Sequence, residues 1–218
     1  CGVECEQALS ARESDGTLRL IYTGRIEHQQ KRILALVHLS DELSRRGIGH
    51  RITVVGDGPA SAEFDRAIGE RPIRRLGPVS PKAIAGLLRE HDAFVLPSRY
   101  EGLSVSMLEA MAAVTPPILA RTDSGALQAI APGYNGEVAD VAPEAKEGEV
   151  GKALAEAVGR FVKRSRGEMA RAAHQTVRER FSLERHLEHV IPLVDSAARM
   201  AARVWPAERP CAFSSSGA

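Results

Sequence analysis

The sequence predicts an α/β protein built on a doubly wound parallel sheet of about six strands. Short apolar segments of strand type alternate with amphipathic helical segments between residues 18 and 139. This alternation is typical of a parallel sheet with helices on both faces, because each crossover between parallel strands needs a connecting helix. Glycine, proline and hydroxyl residues are concentrated directly after the strands, at the edge where doubly wound sheets bind their ligands.

The predicted strands are short runs rich in Ile, Leu, Val, Phe and Ala. Most of them run directly into glycine, proline or hydroxyl residues, which favour turns. Because their apolar residues are nearly continuous, these strands are expected to be buried on both faces. The predicted strands lie at 18–23, 52–55, 73–76, 93–96, 117–120 and 136–139.

Helices are predicted between the strands and after them. The first is expected over 31–46, where apolar residues recur at helical spacing and Gly47 suits the C-terminal end. Ser80 and Pro81 form a favourable helix start, since serine can cap and proline is accepted at the first helical position. The other helices are predicted at about 60–68, 81–91, 104–113, 144–163, 167–180 and 183–204.

The chain is expected to form one domain with appendages. Its 218 residues suffice for one substantial core. Residues 1–17 are polar and without a steady period, which predicts a lead-in or linker, and residues 18–205 form the predicted domain with its C-terminal helices. Residues 206–218 are rich in Pro, Ser and Ala, which predicts a disordered tail.

The composition excludes several classes of function. A net charge of +1 offers no bulk field for nucleic acid or for an anionic membrane. No apolar run approaches the roughly 20 residues of a membrane span, and the N-terminus has no signal-peptide pattern, which favours the cytoplasm. The cysteines Cys1, Cys5 and Cys211 are expected to be reduced thiols, so no metal site is predicted.

The helix after Gly102 carries the first candidate site residues. Glu109 shares a predicted apolar face with Val105 and Ala112, and a carboxylate there is costly unless it has a partner. Glu101 lies in the loop before this helix, whose first amides have no intrahelical acceptor and suit a phosphate. Alternatively, Glu101 only neutralises the helix N-terminus and Glu109 only reaches into solvent.

Two cations and a glycine-rich turn follow the first two strands. Arg25 stands after Gly24 at the end of the first strand, and Lys31 lies at the start of the first predicted helix. Both can reach a phosphate beyond the strand ends, although two solvated surface cations are the simpler interpretation. The turn Gly56-Asp57-Gly58 lets backbone approach a ligand closely, but it lacks the full dinucleotide-binding glycine pattern.

In order and spacing, these segments resemble the C-terminal domain of the group-1 retaining glycosyltransferases of GT-B architecture. The resemblance covers roughly residues 18–182, and its specific part is the Pro-Ser-x-x-Glu-Gly block with a second glutamate further on. The matching segments are Tyr22-Thr23-Gly24-Arg25 with Lys31, Val55-Gly56-Asp57-Gly58-Pro59, Leu76-Gly77-Pro78-Val79, Asp92 to Gly102, and Leu108-Glu109-Ala110-Met111-Ala112.

The resemblance implies a role for each candidate residue. Arg25 and Lys31 would hold the diphosphate of a nucleotide-sugar donor and stabilise the leaving group, and Glu101 would bind hydroxyls of the transferred sugar. Glu109 would accept hydrogen bonds from the ribose. Further donor contacts are implied at Gly24, Gly56, Gly58, Leu76, Gly102, Leu103 and Ser104.

The resemblance also implies a reaction and a partner. The family transfers a hexosyl group from a UDP- or GDP-linked sugar with retention of configuration, in carbohydrate biosynthesis. Its acceptor binds to an N-terminal domain, which we do not expect in this chain because about 17 residues precede the first strand. The chain is therefore expected to bind donor but to be inactive alone, in the cytoplasm, with any peripheral membrane attachment supplied by the other domain. No cofactor is expected, since no Asp-x-Asp motif is present to hold a metal.

Three departures from the family pattern concern loop geometry and sugar contacts. Arg32 follows Lys31 where the family usually has glycine, and Val114 also stands at a usual glycine position. Gln128-Ala129 replaces a common glutamate. Two other functions stay open: a non-catalytic nucleotide-sugar-binding module and a sugar-nucleotide epimerase or phosphorylase of the same architecture.

Overall fold

A computed structural model describes residue 3 and residues 16–121 and 125–199 of the chain. The tail predicted at 206–218, the three cysteines and most of the lead-in predicted at 1–17 lie outside these residues. So do residues 122–124 and the end of the last predicted helix.

Six parallel strands form a single sheet in the order β3-β2-β1-β4-β5-β6. The prediction of a doubly wound parallel sheet of about six strands is confirmed. The strands are β1 Leu18–Thr23, β2 His50–Val55, β3 Ile73–Leu76, β4 Ala93–Leu96, β5 Pro117–Ala120 and β6 Glu137–Ala139.

Eight helices are present among the described residues. The short α5 was not predicted, and the other seven correspond to predicted helices. They are α1 Ala35–Arg45, α2 Ser61–Ile68, α3 Pro81–Arg89, α4 Val105–Ala112, α5 Ala126–Ala129, α6 Glu147–Phe161, α7 Arg166–Arg180 and α8 Leu183–Arg199.

The strand order reverses at β1, and this reversal positions the candidate site. β1 pairs with β2 on one side and with β4 on the other, with Leu20 opposite Ala93 and Ile21 opposite Phe94. The loops that leave the carboxyl ends of β1 and β4 therefore lie side by side, with their helices on opposite faces of the sheet. A crevice between such loops is the general ligand site of open α/β sheets.

The first predicted helix began too early. Residues 31–34 form a turn, and α1 starts at Ala35. The reason is Arg32, whose φ of 48° lies in the left-handed region and cannot belong to a right-handed helix. Lys31 is therefore a loop residue and does not stand at a helix start.

The last described helix, α8, is amphipathic and leaves an apolar stripe exposed. Leu183, Leu187, Ile191 and Val194 are each more than 40% accessible to solvent. Among the helices that the structure describes, none is long and apolar enough to cross a bilayer.

Candidate functional site

Lys31 and Glu101 meet where the loops after β1 and β4 adjoin. The ammonium nitrogen Nζ of Lys31 lies 2.5 Å from Oε1 of Glu101, and the two side chains are 18% and 9% exposed. Charges this far from solvent interact more strongly than a surface pair does. The structure thus brings together two of the three residues predicted to be catalytic.

The loop that carries Lys31 is shaped by its own hydrogen bonds. Oε1 of Glu27 accepts from the amides of Gln30 at 2.9 Å and Lys31 at 2.7 Å. The hydroxyl of Tyr22 donates to the carbonyl of Arg25 at 2.7 Å. Burial, Glu101 and Glu27 together raise the pKa of Tyr22, so the phenol remains a donor at neutral pH. These contacts fix the backbone on both sides of the turn.

The two loops are also joined through Gln30. The Gln30 carbonyl accepts from the Arg99 amide at 2.7 Å, and the Gln30 side-chain amide donates to the Tyr100 carbonyl at 3.1 Å. Arg99 and Tyr100 lie two residues and one residue before Glu101. The two contacts bring the segment before Glu101 against the segment before Lys31.

Arg32 makes a third connection between these loops. Its side chain is buried, at 1% exposure. Nε donates to the carbonyl of Pro97 at 2.8 Å, and Nη2 donates to that of Ser98 at 2.9 Å. The sequence singled out Arg32 only as a departure from the family pattern. Neither its burial nor its carbonyl partners were predicted.

The N-terminus of α4 opens beside Glu101. Ser104 caps the helix by accepting from the Met107 amide at 3.4 Å. No described atom accepts from the amides of Gly102, Leu103 or Ser104. Unsatisfied amides at a helix N-terminus favour an anion; that this segment binds phosphate stays a prediction.

The prediction that Glu109 lies on the buried face of α4 is wrong. Glu109 is exposed, and Val105 is 44% exposed. The buried arc of the helix is instead centred on Met107, Leu108 and Met111, because α4 packs against α7 and against β4 and β5. Local desolvation nevertheless raises the pKa of Glu109.

Gly56 and Gly58 are required by the neighbouring loop. A Cβ at Gly56 would lie 2.0 Å from the Gly24 carbonyl oxygen, and a Cβ at Gly58 would lie 2.2 Å from that of Ile26. The predicted reason for these glycines, close approach to a ligand, is therefore not needed to explain them. The Leu76 carbonyl accepts from the Gly56 amide at 3.1 Å, which brings the end of β3 to the same edge.

Arg25 and Arg75 differ in their partners. Arg25 is exposed and forms no ion pair with any residue that the structure describes. Arg75, on β3 next to Leu76, donates to both carboxylate oxygens of Asp65 at 2.6 Å. The side chain of Arg25 is thus available to a ligand.

No ready metal site accompanies these residues. Within residue 3 and the ranges 16–121 and 125–199, no group of three or more His, Cys, Asp or Glu side chains is placed to hold a metal ion. Two surface depressions adjoin Tyr134, in the segment before β6, and none of the predicted donor residues lines them. The candidate site is an open edge of the sheet.

The comparison with protein families shows which family the chain belongs to. The family model described as "Glycosyl transferases group 1" matches residues 17–164. The chain belongs to the group 1 glycosyltransferases, and its fold is that of their C-terminal domain. The resemblance drawn from the sequence is confirmed.

Individual relatives have related activities and longer chains. The chain is 34% identical over 130 residues to the GDP-mannose-dependent alpha-(1-6)-phosphatidylinositol dimannoside mannosyltransferase of Mycobacterium tuberculosis, a match that covers 58% of this chain and 32% of that enzyme. The alpha-D-kanosaminyltransferase of Streptomyces kanamyceticus is 32% identical over 123 residues, which cover 55% of this chain and 31% of that enzyme. The chain thus spans about a third of the length of the curated relatives it matches.

A solved structure with the same fold contains a bound nucleotide. The pneumococcal O-GlcNAc transferase GtfA in complex with UDP and GlcNAc superposes with a TM-score of 0.74 at 16% identity, over 84% of this chain and 36% of that one. At this identity the likeness concerns the fold alone.

Proposed function

We propose that this chain is the donor-binding half of a retaining glycosyltransferase that uses a UDP- or GDP-linked hexose. The observation that carries the proposal is the Lys31–Glu101 pair at the junction of the β1 and β4 loops. The pair adjoins the amides of Gly102, Leu103 and Ser104, which have no acceptor among the described residues. A cation, a carboxylate and a set of amides suit the junction between a sugar and a phosphate.

The reaction would place negative charge where these groups can oppose it. The bond between the anomeric carbon and the diphosphate oxygen breaks, and the electron pair leaves with the nucleotide. The acceptor oxygen forms the new bond and gives its proton to the departing diphosphate. Lys31, Arg25 and the N-terminus of α4 would stabilise the charge that develops on the diphosphate. We propose that these groups act without a divalent metal, since the sequence has no Asp-x-Asp motif.

The two glutamates would bind opposite ends of the donor. Glu101 would accept hydrogen bonds from hydroxyls of the transferred sugar, and Glu109, which is solvent-accessible on α4, would accept from the ribose. Carboxylates suit both roles because an ionised carboxylate only accepts hydrogen bonds and a hydroxyl donates them. Glu109 need not lie on a buried face for this role.

The relatives support the donor class and a separate acceptor domain. One relative is described as GDP-mannose-dependent, and one structural neighbour holds UDP and GlcNAc. Both are much longer than the segment that this chain matches. We propose that the acceptor binds to another domain of the complete enzyme and that the chain alone transfers little or no sugar.

Nucleotide binding tests the proposal most directly. Isothermal titration of the chain with UDP and with GDP should detect binding of at least one of them, and Lys31→Ala should weaken it by at least about tenfold, because a charge-assisted contact to phosphate is lost. Lys163→Ala is the matched control, since Lys163 is exposed after the far end of α6 and faces no predicted donor residue. Its affinity should equal that of the unmodified chain.

Two results would overturn the proposal. The first is absence of binding to both nucleotides, and the second is an equal loss of affinity in Lys31→Ala and Lys163→Ala. A Glu101→Gln variant separates the sugar from the diphosphate: it should bind UDP or GDP as before but lose the additional affinity for the sugar-linked nucleotide. Chelation of divalent ions should leave all of these affinities unchanged.

A further inference from the structure

Arg32 combines two unfavourable features in one residue. Its guanidinium is buried, and its backbone φ of 48° is rare for a residue with a side chain. Burying a cation is costly unless its donors find partners. Such a combination persists only where the surrounding contacts stabilise it.

The partners of Arg32 lie on the loop that leads to Glu101. Its donors reach the carbonyls of Pro97 at 2.8 Å and Ser98 at 2.9 Å, and a longer contact of 3.5 Å reaches the carbonyl of Pro143. The guanidinium fork can satisfy neighbouring carbonyls at once, which the single ammonium of a lysine does less well. Burial and Arg99 lower the pKa of Arg32 to about 10, so the group remains protonated at neutral pH.

The position of Arg32 in the chain couples these contacts to the site. It directly follows Lys31, and the carbonyls it binds stand four and three residues before Glu101. Among the described residues, the other polar connections between the loops are the contacts of half-buried Gln30 with the exposed Arg99 and Tyr100, and the Lys31–Glu101 pair itself. Arg32 is therefore the buried connection between the two segments.

We propose that Arg32 is a positioning residue that fixes the β4 loop against the β1 loop, so that Lys31 and Glu101 are held at the separation that donor binding requires. It touches neither sugar nor phosphate and acts through these two side chains. The expected effect of Arg32 on donor binding rests on the proposed function. The connection that Arg32 makes between the loops rests on the structure alone.

Three variants test the proposal in the full chain. Arg32→Gly removes the guanidinium and keeps a residue that accepts positive φ, and Arg32→Lys keeps the charge without the fork. Val114→Gly is the matched control, because it introduces glycine at the other non-glycine position of positive φ among the described residues. The measurements are affinity for UDP and GDP, and hydrogen exchange of the Arg99 amide by NMR.

Arg32→Gly should bind nucleotide at least about tenfold more weakly and exchange the Arg99 amide at least about tenfold faster, as expected for loss of a charge-assisted connection. The amides of β1 should lose less protection than the Arg99 amide, because they respond only to the fall in global stability. Arg32→Lys should have a nucleotide affinity and an Arg99 exchange rate between those of Arg32→Gly and the unmodified chain. Millimolar guanidinium should restore affinity and protection in Arg32→Gly, whereas sodium chloride at the same concentration should not.

Unchanged Arg99 exchange in Arg32→Gly would overturn the proposal, and so would an equal loss of affinity in Val114→Gly. A loss of protection at the β1 amides as large as that at the Arg99 amide would also overturn it, since Arg32 would then act only on global stability. If the unmodified chain binds neither nucleotide, the proposed function fails. Faster Arg99 exchange that guanidinium reverses would still support Arg32 as the residue that positions the loops.

Discussion

Two turns of this molecule share one unusual backbone conformation and differ in what accompanies it. Arg32, after β1, has a φ of 48°, and Val114, between α4 and β5, has a φ of 56°. The buried guanidinium of Arg32 donates hydrogen bonds to carbonyls of another loop. Val114 is only half-buried, and the polar contact of its turn is local, from its amide to the Met111 carbonyl at 3.2 Å.

The difference indicates that the same strain has different consequences in the two turns. At Val114 the conformation belongs to the end of a helix, where glycine ordinarily accepts it without cost. Nothing in the structure explains the valine. At Arg32 the strain accompanies contacts that reach across the candidate site, which is where backbone strain is most often retained.

The largest effect is expected at a turn that does require glycine, beside Arg25. Gly56→Ala should lower the free energy of unfolding by roughly 3 kcal/mol or more. Its Cβ would lie 2.0 Å from the Gly24 carbonyl oxygen, and its φ is 134°. Urea denaturation followed by circular dichroism measures this change.

Gly77→Ala is the control for that variant. Gly77 lies near the same edge of the sheet, and no described atom comes within 4 Å of a Cβ placed there. Its unfolding midpoint should remain close to that of the unmodified chain. Equal destabilisation by the two variants would show that close contact between the loops is not the reason for Gly56.

An intermediate effect is expected for Arg32→Gly. Loss of the guanidinium leaves the carbonyls of Pro97 and Ser98 without this donor, which costs about 3 kcal/mol in total, while relief of the positive φ returns about 1 kcal/mol. The net loss of unfolding free energy should be about 2 kcal/mol. Denaturation curves with an unchanged slope would show that the effect lies in stability.

The smallest effect is expected for Val114→Gly. Relief of strain, about 1 kcal/mol, is nearly offset by the greater freedom of glycine in the unfolded chain. The unfolding free energy should change by less than about 1 kcal/mol, towards greater stability. If Val114→Gly destabilises the chain as much as Arg32→Gly, the contrast between the two turns is wrong.

Much of the fold could be predicted because its signals are local. The bounds of β1, β3, β4 and β5 agree with the predicted ones. For β1, β4 and β5 the signal is a short, mostly apolar run, whereas β3 has two arginines between Ile73 and Leu76. The rule that ligands bind beyond the carboxyl ends of parallel strands directed attention to Lys31 and Glu101. That the two side chains form a direct ion pair was not predicted.

The errors have a common physical origin. The first helix was extended to residue 31 because apolar spacing does not reveal that Arg32 adopts positive φ. The predicted face of Glu109 is wrong because Val105 is exposed, and only the packing of α4 against α7 and the sheet decides which arc of this short helix faces inward. In both cases an interaction distant in sequence outweighed a local pattern.

Periodicity and turn chemistry, which act over a few residues, determine that this chain forms a doubly wound sheet with its polar loops at one edge. Its motifs further indicate that the chain belongs to the group 1 glycosyltransferases. The tertiary structure alone decides which of those polar groups meet. Arg32 and Pro97 stand 65 residues apart in the chain, and they become partners only because β1 and β4 lie next to each other in the sheet.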